Sequence, residues 1–232
     1  LLLEHVCGIS HSTYFVHSED EMPKEQQEQY EALVRKRGEH IPLQQLTGEQ
    51  DFMGLTFAVN EHVLIPRQDT EILVEEVLKE LHDGMRVLDM CTGSGCILLS
   101  LLHYSNACEG LGVDLSADAL EVAEQNAETL LDAVNADRVH FLQSDLFDKV
   151  EGKFEIIVSN PPYIASAEVE KLMPEVRDHE PRMALDGTED GLHFYRRIIK
   201  EAGKHLVNSG MLFFEIGYDQ GQAVSELMRA GG

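Results

Sequence analysis

Residues 86–114 narrow the choice of fold more than any other stretch. Arg86-Val87-Leu88-Asp89-Met90 reads as an apolar strand, Cys91-Thr92-Gly93-Ser94-Gly95 as a tight turn and Cys96 to Tyr104 as an apolar helix. Leu111-Gly112-Val113-Asp114 is the next strand. Two strands joined by a crossover helix pair in parallel. The alternation continues with a helix from Ser116 to about Leu131, a strand at Val139–Leu142, another at Phe154–Ser159, a helix over about 190–207 and a strand at Met211–Ile216. Five strands alternating with helices predict an α/β fold built on a doubly wound, mostly parallel sheet. Glycines let the backbone approach a ligand closely. Asp114 ends its strand about 20 residues beyond them, the spacing at which an acid meets a ribose hydroxyl in nucleotide-binding βαβ units.

A second stretch carries chemistry of its own. Phe154-Glu155-Ile156-Ile157-Val158-Ser159 is β-branched and apolar and stops at Asn160-Pro161-Pro162-Tyr163. Proline cannot continue a strand ladder, and the residue before it is driven to an extended backbone. Asn160 thus sits at the carboxyl end of a buried strand, where open α/β sheets place ligands. Its side-chain carbonyl accepts hydrogen bonds, and the neighbouring main-chain carbonyls are free to accept as well. Two acceptors beside the Tyr163 ring suit a planar, conjugated NH2 group. The bland alternative is a turn that merely ends a strand.

The remaining segments frame these two. Residues 1–45 are helical and polar, with Tyr30, Leu33 and Val34 as a thin apolar stripe. Residues 46–66 change period around Met53-Gly54 and predict a hairpin or extended linker. Asp69 and Thr70 suit the cap of an amphipathic helix. Residues 164–190 contain Pro174 and Pro181 and predict a partly irregular flap. The net charge is −24, with 18 basic residues against 42 acidic ones, and no basic run occurs. Proteins that embrace a duplex need clustered Lys and Arg, so this balance disfavours direct nucleic-acid binding and favours a protein partner with basic character. No apolar run approaches the roughly 18–20 residues that span a bilayer, so no membrane association is expected. Four scattered cysteines predict a reduced, cytoplasmic setting. The histidines show no metal-site spacing, so no metal is expected.

Taken together, the motifs resemble the class I S-adenosylmethionine-dependent methyltransferases, and within them the HemK/PrmC family, which methylates the glutamine side-chain amide of peptide-chain release factors. The specific points are Leu64-Ile65-Pro66-Arg67-Gln68-Asp69-Thr70-Glu71, Leu88 to Gly95, Ser159 to Ile164, and Glu180-Pro181-Arg182-Met183-Ala184-Leu185-Asp186-Gly187. The resemblance implies a Rossmann-like fold with a small N-terminal helical domain over residues 1–45, which would dock the release factor, a linker over 46–66 and a catalytic domain over 67–232. It implies that Cys91, Thr92, Gly93, Ser94 and Gly95 face the methionine portion of S-adenosylmethionine, that Asp114 binds the ribose hydroxyls, and that Asp145 and Leu146 border the adenine. Asn160, Pro161, Pro162 and Tyr163 would hold the glutamine amide of a Gly-Gly-Gln motif, with Arg67 closing the site. Cys91 stands where the family usually has glycine, and Gln68 replaces a second proline. Family members begin earlier and end later than this sequence, with a closing strand hairpin that does not follow Met228, so the sheet edge is expected to be incomplete.

Other function classes compete. An adenine-amino methyltransferase acting on DNA or RNA needs the same acceptors for a flipped base, but it also needs the basic surface that is missing here. A nucleotide-dependent oxidoreductase needs only the strand, glycine turn and acid, and has no use for Asn-Pro-Pro-Tyr. A non-catalytic cofactor-binding scaffold has no use for an intact Asn160 beside Asp114.

Overall fold

A computed structural model of the chain describes residues 1–16 and 19–231. The polar N-terminal segment forms α1 (Leu2–Cys7), α2 (His11–Val16), α3 (Lys24–Gly38) and α4 (Leu43–Thr47). None of these four helices contains a fully buried residue. The period change at residue 46 becomes an antiparallel hairpin, β1 (Glu49–Phe52) and β2 (Leu55–Ala58). Its turn is Met53-Gly54, both at positive φ, the geometry that matches the twist of a two-residue hairpin. Phe52 and Phe57 are buried and pack edge to face at 6.0 Å.

The rest of the chain alternates as its apolar pattern predicts: α5 (Gln68–Glu80), β3 (Arg86–Met90), α6 (Cys96–His103), β4 (Glu109–Asp114), α7 (Ala117–Leu130), α8 (Ala133–Ala136), β5 (Val139–Gln143) and β6 (Phe154–Ser159). The flap over 164–190 carries three one-turn helices, α9 (Ser166–Val169), α10 (Pro174–Arg177) and α11 (Arg182–Leu185). Then come α12 (His193–His205), β7 (Leu206–Phe214) and α13 (Gly221–Gly231). The main sheet has strand order β5-β4-β3-β6-β7, and all four pairings are parallel.

Both faces of this sheet are covered, which is why its central strands read as continuous apolar runs. Val87, Ile156 and Val158 face one cluster with Val74 and Val77 of α5 and Leu98 and Leu101 of α6. Leu88, Met90 and Ile157 face the opposite cluster with Ile198 and Ala202 of α12. Helix α6 is apolar on every side because it is enclosed: seven of its residues, Cys96 to Leu102, are buried. Helix α12 needs only one apolar stripe, and buries Tyr195, Ile198, Ile199 and Ala202 at helical spacing.

Three local expectations change. Asp69 and Thr70 are not caps; the cap position is Arg67, and both residues lie in the first turn of α5. There the acid complements the helix dipole, and the buried Thr70 hydroxyl serves Asn160. Strand β7 begins at Leu206, five residues before the apolar run signals it, through an irregular pairing opposite Phe154–Ile156. Helix α12 begins at His193, because Asp190 and Gly191 turn the chain first. Ser116 does cap α7, accepting a hydrogen bond from the Ala119 N–H at 3.2 Å.

Candidate active site

Register aligns the chemistry. Met90 pairs with Val113 on one side and Ser159 on the other, and Ser159 pairs with Phe214. The next residue of each strand therefore stands in one row at the carboxyl edge: Asp114, Cys91, Asn160 and Glu215. Connections leave β3 and β6 in opposite directions, so the row crosses the switch point where open α/β sheets leave a crevice. A cavity of about 480 Å³ opens there.

At the β3–β4 end, local bonds hold the turn shut. The Thr92 N–H donates to Val113 O at 3.0 Å, and the Thr92 hydroxyl donates to Asp89 Oδ2 at 2.7 Å. Asp114 receives the Gly93 N–H on Oδ2 at 2.9 Å and the Ser116 N–H on Oδ1 at 3.0 Å. Burial pushes the Asp114 carboxyl up from the ordinary range, against these two donors. A carboxylate has about four lone-pair sites, so Asp114 keeps acceptor capacity toward the cavity it lines. Buried Asn126 ties the hairpin to the turn: its Nδ2 donates to Ala58 O and Ser94 O, and its Oδ1 accepts the Ala58 N–H. Cys91 has φ 64°, a left-handed conformation that favours glycine. Gly93 has φ 55° and open space where a side chain would project, so the backbone itself bounds the cavity. Further along, Asp145 pairs with Arg197 at 2.9 Å, and Leu146 adopts φ 49°. The cavity wall thus runs from a carboxyl with spare acceptor capacity at Asp114 to the acid and apolar side chains of Asp145 and Leu146.

At the β6–β7 end, distant segments converge. The Ser159 hydroxyl donates to Met90 O at 2.6 Å and locks the two strand ends together. Asn160 Nδ2 donates to Thr70 Oγ1 at 3.4 Å, which leaves Oδ1 as the free acceptor. The Tyr163 hydroxyl donates to Glu215 Oε1 at 3.4 Å, and Gln220 Nε2 donates to Tyr163 O at 2.9 Å. Burial, then the Glu215 charge, pushes the Tyr163 hydroxyl up to about 12, so it stays a donor at neutral pH. The flap closes directly on this turn. A Cβ on Gly191, at φ 72°, would meet Tyr163 O at 2.3 Å, and one on Gly187 would meet Pro162 O at 2.8 Å. Arg67 pairs with the buried Glu180, which also accepts the Ile65 N–H at 3.3 Å. That pair joins the loop before α5 to the flap. The same flap is tied to the N-terminal helices by Arg37–Glu175 at 2.7 Å and by Gln45 Nε2 donating to His179 O at 2.8 Å.

The cavity brings together Arg67, Cys91, Thr92, Gly93, Ser94, Asp114, Asp145, Leu146, Asn160 and Pro162. Three expected residues lie outside its lining. Gly95 caps α6 and packs against Leu99 and Ala123, Pro161 is buried, and Tyr163 turns its hydroxyl toward Glu215. Sequence reasoning missed Thr70, Glu215 and the roles of Gly187 and Gly191. For the glycines a signal existed, since two Asp-Gly pairs four residues apart in a flap, Asp186-Gly187 and Asp190-Gly191, ask for close backbone approach. For Glu215 none did, because an acid at a strand end has many uses. Among the described residues no cluster of His, Cys, Asp or Glu is arranged to hold a metal ion, and no helix is long and apolar enough to cross a membrane.

Comparison with known proteins follows the same division. The PrmC N-terminal domain matches residues 1–48, and the methyltransferase small domain matches residues 67–176. A solved methyltransferase from Pyrococcus furiosus superposes with TM-score 0.54 at 18% identity, covering 77% of this chain and 79% of that one, a likeness of fold. The release factor glutamine methyltransferase of Agrobacterium fabrum is 39% identical over 100% of this chain and 81% of its own length. That of Clostridium acetobutylicum is 42% identical over 100% of this chain and 82% of its own length. Identity of this extent over both chains, on a sheet whose switch point carries Asp114, Cys91 and Asn160 in one row, means that the chain belongs to the release factor glutamine methyltransferase family.

Proposed function

We propose that this protein methylates the side-chain amide nitrogen of a glutamine in a peptide-chain release factor, the glutamine of its Gly-Gly-Gln motif, with S-adenosylmethionine as methyl donor. One observation carries the reading: Asn160 lines the cavity with its NH2 committed to Thr70 and its Oδ1 left to accept. An amide nitrogen is a poor nucleophile, because its lone pair is delocalised into the carbonyl. Asn160 Oδ1 and the Pro161 carbonyl take its two hydrogens and fix the nitrogen for in-line attack. Well-oriented reactants gain several kcal/mol or more. As positive charge builds on nitrogen, both acceptors bind it more strongly, which favours the transition state over the ground state.

The Cys91–Gly95 turn holds the methionine portion, Asp114 the ribose hydroxyls, and Asp145 with Leu146 the adenine. Pro162 and Tyr163 pack the glutamine side chain, and Arg67, through Glu180, keeps the flap over it. When bound, S-adenosylmethionine supplies a sulfonium-activated methyl group, leaving S-adenosylhomocysteine as the nitrogen loses one proton to solvent. Residues 1–45 dock the release factor, residues 46–66 link, and residues 67–232 carry the catalysis. The excess of acid over base, 42 to 18, favours a basic protein partner over nucleic acid.

The test is transfer of labelled methyl from S-adenosylmethionine to a release factor carrying Gly-Gly-Gln, beside the same factor with that glutamine replaced, and beside DNA and RNA. Label on the intact factor alone is expected. Label on nucleic acid, or on the factor lacking the glutamine, overturns the reading.

A further inference from the structure

We infer that Glu215 is a positioning residue for the acceptor: its carboxylate, with the Thr70 hydroxyl, holds the Asn160 side chain so that its NH2 faces the protein and its Oδ1 faces the substrate amide. This rests on the reading of Asn160 as the amide acceptor.

Register puts the two side by side. Ser159 pairs with Phe214, and the Glu215 N–H donates to Ser159 O at 3.0 Å, so Glu215 follows its strand as Asn160 follows the neighbouring one. Tyr195, fully buried, donates its hydroxyl to Glu215 O at 2.9 Å and pins the backbone there. Tyr163 donates to Oε1, while Oε2 is buried and has no hydrogen-bond partner among the described residues. The Thr70 hydroxyl and the Asn160 amide face the same carboxylate, and Asp69 adds a like charge nearby. Burial raises the Glu215 carboxyl from its ordinary range, and the Thr70, Tyr163 and Asn160 donors oppose that rise.

Donor and acceptor counting explains why an acid is needed. An asparagine amide has nearly the same shape when flipped, and only its partners decide which end points where. Thr70 can accept from Asn160 Nδ2 and pass its own hydrogen to Glu215. A carboxylate only accepts, so the Thr70 hydrogen goes to Glu215 and none is left on this side for Asn160 Oδ1; in the flipped state either Oδ1 or the carboxylate loses its donor. With glutamine at 215, an NH2 could satisfy Oδ1. Asn160 could then turn its own NH2 toward the substrate NH2, donor against donor. Asn160 Nδ2 to Thr70 Oγ1 and the Tyr163 hydroxyl to Glu215 Oε1 are both long at 3.4 Å, which fits a site that tightens around its substrate.

The experiment compares wild type, Glu215→Gln, Glu215→Asp and Thr70→Val in methyl transfer to the release factor, with S-adenosylmethionine binding and thermal midpoints measured in parallel. Glu215→Gln is expected to lower kcat about 100-fold, the scale of a misplaced reacting group, with KM and cofactor affinity within about threefold of wild type. Glu215→Asp recovers part of the loss. In wild type, kcat falls on acidification as Glu215 protonates, and this limb is absent in Glu215→Gln. The comparison separates Glu215 from Asp69, Tyr163 and Tyr195, which face the same site and stay in place. If Glu215→Gln does not fold, Thr70→Val removes the relay hydroxyl at similar volume and carries the same expectation. A wild type that transfers no methyl to the factor overturns the amide-acceptor reading itself. An active wild type matched within about threefold by folded Glu215→Gln, or by Thr70→Val if Glu215→Gln does not fold, overturns the positioning role and leaves that reading intact.

Discussion

The two ends of the cavity are built in opposite ways. The β3–β4 end is made of neighbours: Asp89, Thr92, Gly93, Val113, Asp114 and Ser116 bond to one another within about thirty residues of chain. The β6–β7 end gathers Thr70, Asn160, Tyr163, Gly191, Glu215 and Gln220 from five separate segments. A local turn can form as soon as its strands pair, whereas the other end exists only once the whole sheet, the flap and α5 are in place. Under the proposed function, binding of the methyl donor and selection of the acceptor fall to structures of different contact order.

Asn160→Ala should separate the ends most sharply. It removes the acceptor and little else, so kcat is expected to fall about 1,000-fold, the scale of losing a preorganised polar group, while equilibrium binding of S-adenosylmethionine stays near wild type. Near-normal turnover would dissolve the distinction. Gly191→Ala attacks the same end through the backbone, since φ 72° and a 2.3 Å approach to Tyr163 O leave no room for a methyl group. The flap must lift, and a stability loss of about 2 kcal/mol is expected, again with cofactor affinity kept; a denaturation midpoint and a binding isotherm decide it.

The remaining variants act on the local end. Burial raises the Asp89 carboxyl to about 7, and its Oδ1 has no hydrogen-bond partner among the described residues. A carboxyl raised on folding contributes stability that is complete below its unfolded value, near 4, and is lost as pH rises through about 7. Asp89→Asn is expected to flatten that fall, gaining on the order of 1–2 kcal/mol over wild type at pH 8 and nothing at pH 4. Parallel pH dependences in the two proteins would refute the assignment. Cys91→Gly is the smallest change. It removes a side chain from a left-handed position, and relief of strain against added chain entropy leaves a gain of about 1 kcal/mol or less, read as a rise in thermal midpoint.

How far the sequence could be read follows the same division. The strand–turn–helix–strand unit over 86–114 has its signals within itself, so strand, turn, helix and the terminal acid stand close to where periodicity put them. Cys91 could be noticed as a departure from glycine, but its positive φ belongs to the folded turn. Asp69 and Thr70 were misread as caps because capping is the commonest local use of those residues, and nothing nearby announces a partner ninety residues away. Glu215 carried no signal at all, since its meaning comes from the strand beside it.

The order of apolar and polar residues by itself determined the class of fold, the five-stranded sheet, the acid at the end of β4 and the Asn-Pro-Pro-Tyr stop at the end of β6. Hydrophobic burial depends on pattern, and pattern is local. Only the tertiary structure decided the strand order, and with it the row Asp114, Cys91, Asn160, Glu215. Hydrogen bonds act over about 3 Å, so which atoms meet waits on register between strands that lie far apart in the chain.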